Sequence, residues 1–273
     1  MPTRFQRDTA IERVDDDVFE ARLDRAWWVQ RGPNGGYLAA IIMRSVIASV
    51  DDAARSPRSL TVHFTTPPDA GAVTVQTAIE RAGRSLTSVS ARMMQGDRLI
   101  ALAISALSTP RSGPEFCDLE MPDVPAAPAF DARRPPPDAP AIADRWDSRW
   151  AVGTPPFEGE LSHEAVGGGW IRLEEPQVLD APAVAALTDA WIPPIFSRTD
   201  ELLVVPTVDL TVHFRVPLPH AAVPPDGFLL AVFRTNAAAD GFLEEDGEVW
   251  APDGTLLAQS RQLAAILPME ANR

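Results

Sequence analysis

The sequence has no lysine: all 24 basic residues are arginine. That excludes a lysine Schiff base, a pyridoxal linkage and a phosphate-loop lysine. Cysteine is nearly absent as well. Cys117 is the single one, so no internal disulfide can form, and the usage fits a reducing compartment, the cytoplasm. Long apolar runs are missing, since the stretch 38–43 stops at Arg44, far short of the roughly 20 residues of a membrane span. The opening residues, MPTRFQRDTAIERVDDD, lack the apolar segment of a signal peptide. Common catalytic signatures fail too: there is no G-x-S-x-G and no C-x-x-C, and glycines 167–169 lack dinucleotide-loop spacing. His163-Glu164 opens like a zinc-protease helix, but Gly167 stands where the second histidine belongs. With His63, His213 and His220 scattered, no metal or other cofactor is expected.

What is present is acid and apolar bulk. Thirty-eight acidic residues against 24 arginines leave a net charge of −14, which argues against nucleic acid and anionic membranes as partners. Local arginines can still hold a small phosphate-bearing molecule. The 273 residues, 45% of them hydrophobic, are enough for one large domain or two small ones.

One repeat organises the chain. LTVHF occurs at 60–64 and again at 210–214, and Gly96-Asp97-Arg98-Leu99-Ile100-Ala101 is echoed by Asp253-Gly254-Thr255-Leu256-Leu257-Ala258. This is the mark of duplication. We place the copies at 15–109 and 158–268, joined by a proline-rich connector at 110–157 that contains Pro135-Pro136-Pro137. In the first copy, Asn34-Gly35-Gly36 precedes a segment that is apolar nearly all round, which predicts a buried helix over 34–50. Strands are predicted at 58–65, 72–81, 86–94 and 98–108. In the second copy Asp180 is an N-cap with Pro182 in the first turn, predicting a helix over 181–192. Strands follow at 203–215, 227–235, 242–250 and 255–267. A buried helix followed by a four-stranded antiparallel meander, twice over, is a tandem hotdog: two antiparallel sheets, each wrapped round a central helix.

Candidate chemistry is sparse. Asp189 follows Ala185 and Ala186 and precedes Ile192 on the predicted helix, so its carboxylate needs partners or a function to offset burial. The alternative is a half-exposed acid at the helix end. Gln262 shares a strand face with Ala258 and Ser260, a surface that a helix or ligand can approach, unless the strand is a solvated edge. Thr207 has the parity of Asp209, Thr211 and His213, so it needs a bulge or strong twist to face a helix. Backbone N–H groups at Gly35 and Gly36 suit an oxyanion, while Asn34 suits an N-cap. His63 and His213 read as polar-face strand residues, and Cys117 as inert.

Thr188-Asp189, Pro206-Thr207-Val208-Asp209 and Leu257-Ala258-Gln259-Ser260-Arg261-Gln262, together with Pro33-Asn34-Gly35-Gly36-Tyr37-Leu38, carry a resemblance. The chain resembles the acyl-CoA thioesterase II family of double-hotdog enzymes and their thioesterase-like relatives. The resemblance implies hydrolysis of acyl-CoA to fatty acid and coenzyme A by a water held by Asp189, Thr207 and Gln262. It also implies an acyl chain in the apolar layer between the helices and a homo-oligomer. Two positions depart from the family's pattern: Leu210 follows Asp209 where the family has histidine, and Leu263 follows Gln262 where it has glutamate. The first half has Ser105 in place of Gln262 and no acid on its helix, so one working site per chain is expected. A non-catalytic acyl-CoA-binding hotdog protein and a hotdog enoyl-CoA hydratase or dehydratase are the alternatives.

Overall fold

The computed structural model describes all residues except 31, 138, 158–159 and 270–273. Residue 158, where the second copy is expected to begin, therefore lies outside the described residues. A short helix α1 (Arg4–Asp8) precedes β1 (Ile11–Asp15) and β2 (Val18–Leu23), followed by the long helix α2 (Gly35–Val50). After it come β3 (Ser56–Phe64), β4 (Gly71–Ala82), β5 (Leu86–Gln95) and β6 (Arg98–Ser108). The second half begins with β7 (Trp146–Gly153) and β8 (Ala165–Leu173), then the helix α3 (Ala181–Leu187). Its remaining strands are β9 (Leu203–Val204), β10 (Thr207–Phe214), β11 (Leu229–Thr235), β12 (Ala238–Ala239), β13 (Phe242–Trp250), β14 (Leu256–Ala265) and β15 (Leu267–Pro268).

The two expected sheets are one. Among the described residues a 13-stranded sheet runs β1-β2-β4-β5-β6-β3-β10-β14-β13-β11-β8-β7, with β12 paired to β13. The join is β3 with β10, the two LTVHF strands, which pair antiparallel and so merge the sheets through backbone hydrogen bonds. Thr61 lies opposite Thr211, the same residue of the repeat, and their hydroxyl oxygens are 3.0 Å apart. A pseudo-twofold axis therefore passes between these threonines. Outward from it the order is β6, β5, β4, β2, β1 on one side and β14, β13, β11, β8, β7 on the other. Neither half is the expected meander. The first long strand after α2, β3, and after α3, β10, pairs with the last long strand of its half rather than with the next one.

Three further expectations change. Residues 146–153, taken as connector, form β7 on the edge of the sheet against β8. The strand expected over 203–215 is broken at 205–206, ahead of Thr207; β9 then pairs with β15 in a separate two-stranded sheet. The second helix ends at Leu187, not 192. Its C-cap Thr188 turns its hydroxyl back to the Ala185 carbonyl at 2.8 Å, and Pro193 disfavours helix at Ile192.

The core explains why both helices are so apolar. Every residue of α3 is buried, and α2 is buried from Gly36 through Met43 and again at Ser45 and Val46. α2 packs against β3, β4 and β5, and also directly against α3. One continuous hydrophobic core holds residues of both helices and both halves of the sheet. No helix among the described residues is long and apolar enough to cross a membrane.

Candidate active site

The start of α2 and the end of α3 meet, and Asp189 lies at the junction. It sits in the turn just after α3, its N–H donating to the Ala186 carbonyl at 3.3 Å, rather than on the helix as expected. One carboxylate oxygen, Oδ2, accepts from the backbone N–H of Gly36 at 2.9 Å and from Asn34 Nδ2 at 2.8 Å. Asn34 Nδ2 also donates to the Asp189 carbonyl at 2.6 Å, while its Oδ1 caps α2 by accepting from Tyr37 N at 3.0 Å. Asn34 thus serves both as N-cap and as a partner of the acid. The first N–H groups of a helix have no partner within it, and their dipoles favour negative charge, so the α2 terminus is a natural seat for a carboxylate. The negative end of α3 opposes this, and the donors from α2 offset it.

Glycine at 35 and 36 is a matter of space. A Cβ on Gly36 would stand 2.5 Å from the Ala186 carbonyl oxygen and 3.0 Å from Asp189 Cβ. One on Gly35 would stand 2.9 Å from the Phe64 ring and 3.1 Å from Asp189 Oδ2. The Gly36 N–H, expected to suit an oxyanion, here donates to Asp189 Oδ2. At this crossing the layer between the helices, where the resemblance puts the acyl chain, is filled by protein.

Thr207 and Gln262 come together from adjacent strands. The β10–β14 register shifts between Thr207 and Asp209, the bulge that Thr207 needed in order to turn inward. Its hydroxyl donates to Gln262 Oε1 at 2.9 Å. β14 is internal, between β10 and β13, so Gln262 is no edge residue; it is buried on one face with Ala258, Ser260 and Ala264.

Burial pushes the Asp189 carboxyl up to about 6. The Gly36 N–H, the Gln262 side chain, the Gly35 N–H and the Asn34 side chain pull it back down, in that order. Asp189, Gln262, Asn34, Gly35 and Gly36 therefore form one constellation, and Thr207 joins it through Gln262. At neutral pH such an acid is ionised yet close to its pKa, the condition for a general base. His63 and His213 are exposed on the paired strands β3 and β10, where they face Asp209 and Ser59 across the register.

A family model described as the acyl-CoA thioesterase C-terminal domain matches residues 120–266, and another, described as the acyl-CoA thioesterase N-terminal domain, matches residues 24–109. The chain belongs to the acyl-CoA thioesterase family. Among solved structures it is similar to a conserved hot dog fold protein of unknown function from Alicyclobacillus acidocaldarius. That match has 25% identity and a TM-score of 0.87, covering 99% of this chain and 100% of the other. It is also similar to a protein from Thermobifida fusca assigned as a thioesterase II, at 26% identity and TM-score 0.84 over 97% and 98% of the two chains. An acyl-CoA thioesterase II from Mycobacterium marinum shares the fold at 18% identity and TM-score 0.77, over 97% and 99%. No curated protein matches the chain.

This member of the acyl-CoA thioesterase family has a further acid in the constellation that the sequence reading missed. Glu245 on β13 is paired in register with Gln262, is buried, and accepts from Gln262 Nε2 at 2.7 Å. Burial, reinforced by the charge of Asp189, pushes Glu245 up to about 8, against the pull of the Gln262 amide. The signal was in the alternation, because Glu245 has the parity of Leu243 and Val249, the buried face of β13. The opposite half of the thioesterase fold holds a different pair. Arg44 of α2, ten residues past the N-cap Asn34, donates to the α3 N-cap Asp180 at 3.3 Å. Asp189, nine residues past Asp180, contacts Asn34 in the corresponding way. Arginine stands on one side of the pseudo-twofold where the acid stands on the other.

Proposed function

We propose that the protein hydrolyses acyl-CoA thioesters to free acid and coenzyme A, with Asp189 as base and Thr207 and Gln262 holding the attacking water. The observation that carries this reading is the single enclosed constellation in which an acid shifted to about 6 shares a hydrogen-bonded network with an amide and a hydroxyl. As the water oxygen bonds to the thioester carbonyl carbon, its proton passes to Asp189. The C–S bond then breaks, the sulfur leaves as thiolate, and Asp189 returns the proton to it. Atoms and charge balance with no covalent enzyme intermediate. The opposite pseudo-site has Arg44 and Ser105 in place of an acid and an amide, which supports one hydrolytic site per chain. A cytoplasmic homo-oligomer of chains that each carry two hotdog units belongs to the same reading.

The test is thiol release from a panel of acyl-CoAs, followed with a thiol reagent. We expect the parent chain to release thiol and Asp189→Asn to lower kcat by about 10²–10⁴ with little change in KM. Binding of acyl-CoA without thiol release would instead identify a non-catalytic carrier. An Asp189→Asn variant with the parent rate would remove Asp189 from the mechanism.

A further inference from the structure

Glu245 has no part in the water-holding trio, yet it is bound to it. On the inner face of β13 its neighbours in the alternation are Leu243, Gly247 and Val249, all buried. An aliphatic side chain would fill that place with no loss of hydration, whereas a carboxyl there requires partners. Its partner is Gln262, whose amide lies between two acids. One Nε2 hydrogen goes to Glu245 Oε1 at 2.7 Å, and the same side chain also supports Asp189. One amide cannot neutralise two enclosed anions, so the pair holds a proton between them at neutral pH. Asp189 has the α2 terminus and Asn34 as additional donors, so the charge settles there and the proton settles on Glu245. The other charged groups acting on Glu245 are also acidic: Glu244 and Asp246 beside it on β13. Arg261 of β14 is paired to Asp246.

Resting on the thioesterase reading, we propose that Glu245 is a positioning residue for hydrolysis. As a neutral carboxyl it fixes the Gln262 amide with its oxygen toward Thr207 and its N–H groups toward the acids, leaving Asp189 as the only anion among them. A rotated amide would present its oxygen to the Asp189 carboxylate and release Thr207. Ionisation of Glu245 at alkaline pH adds a second negative charge beside the base, which opposes the negative charge that develops on the thioester oxygen. Activity is therefore lost on the alkaline side through this group.

The experiment compares Glu245→Gln and Glu245→Leu in the full chain, with thiol release from acyl-CoA measured from acid to alkaline pH. Glutamine keeps an acceptor for Gln262 Nε2 but cannot titrate. We expect Glu245→Gln to stay within about twofold of the parent kcat at neutral pH and to keep its activity past the pH, near 8, where the parent declines. Glu245→Leu should lower kcat by about 10–100-fold with KM little changed, the scale of a misplaced catalytic group. The proposal is overturned by a Glu245→Gln variant that declines at the parent's alkaline pH, or by a Glu245→Leu variant with the parent kcat. A readout independent of turnover is the carbon-13 titration of the Glu245 carboxyl in labelled protein, assigned by its absence from Glu245→Gln. Ionisation near pH 8 supports the proposal, and ionisation in the ordinary carboxylate range sinks it. If the parent releases no thiol, or if Asp189→Asn matches its rate, the thioesterase reading itself fails. The carboxyl titration then still reports separately whether Glu245 is held neutral.

Discussion

Asp189 meets two opposed demands. Burial favours its neutral form, and the donors around it favour the anion that a base must be. Its folded pKa of about 6 lies above the ordinary 3.8, so its neutral form stabilises the folded chain. That contribution is full below about 3.8 and is lost as pH rises through about 6. At neutral pH the ionised carboxylate is therefore a net cost, on the order of 3 kcal/mol. We expect Asp189→Asn to melt at a higher temperature than the parent at neutral pH, with the difference shrinking in acid. Thermal melts at the two pH values check this, and a gain independent of pH would contradict it. For the reaction the sign is the reverse: kcat/KM should fall as pH drops through about 6, because a protonated Asp189 cannot take the water's proton. A profile flat through that range would exclude Asp189 as the base. Apolar neighbours on a predicted helix singled out Asp189, and the strand period singled out Gln262. Their partners were not legible, because Gly36 is 153 residues from Asp189 and no local pattern links them.

Among elements, the contact of α2 with α3 carries the site. Gly36 has no room for a side chain against the Ala186 carbonyl, 2.5 Å from where a Cβ would stand, and backbone there can yield only if the helices part. We expect Gly36→Ala to destabilise the fold by about 1–3 kcal/mol and to lose most activity, since it moves the N–H that holds Asp189. Denaturant unfolding together with thiol release measures both. A variant with the parent's stability and rate would show that the helices are free to shift. The Asp180 cap and Pro182 mark where α3 starts but not where it ends; Thr188 and Pro193 supply the stop signals, and the helix closes at Leu187 rather than Ile192. Thr207 shows the reverse. Parity alone demanded a bulge, and the register shift between Thr207 and Asp209 supplies it.

For the molecule as a whole, the β3–β10 join and the shared core make the two halves one folding unit. Thr61 and Thr211 meet at the centre of a continuous sheet, and residues of both helices belong to a single hydrophobic cluster. We expect a single cooperative denaturant transition, with tryptophan fluorescence and far-ultraviolet circular dichroism coincident. Two resolved transitions would show that the halves unfold independently. The repeat LTVHF announced duplication, but it did not say that its two copies would be hydrogen-bonded to each other.

Sequence by itself determined what depends on composition and local period: the duplication, the two buried helices, most strands, and Asp189 and Gln262 as candidates for a site, to which the resemblance added Thr207. Period two even placed Gln262 with Ala258 and Ser260, and would have placed Glu245 with Leu243 and Val249. Tertiary structure decided what depends on pairs far apart in the chain. Strand order belongs here, since hydrogen bonds between strands do not read side-chain parity, and β3 could have paired with β4 or β10 by the same alternation. So does the state of the acids. A carboxyl's pKa is set by the donors and charges around it, and for Asp189 those come from the start of a helix in the other half of the molecule and from Gln262 on a strand 73 residues on.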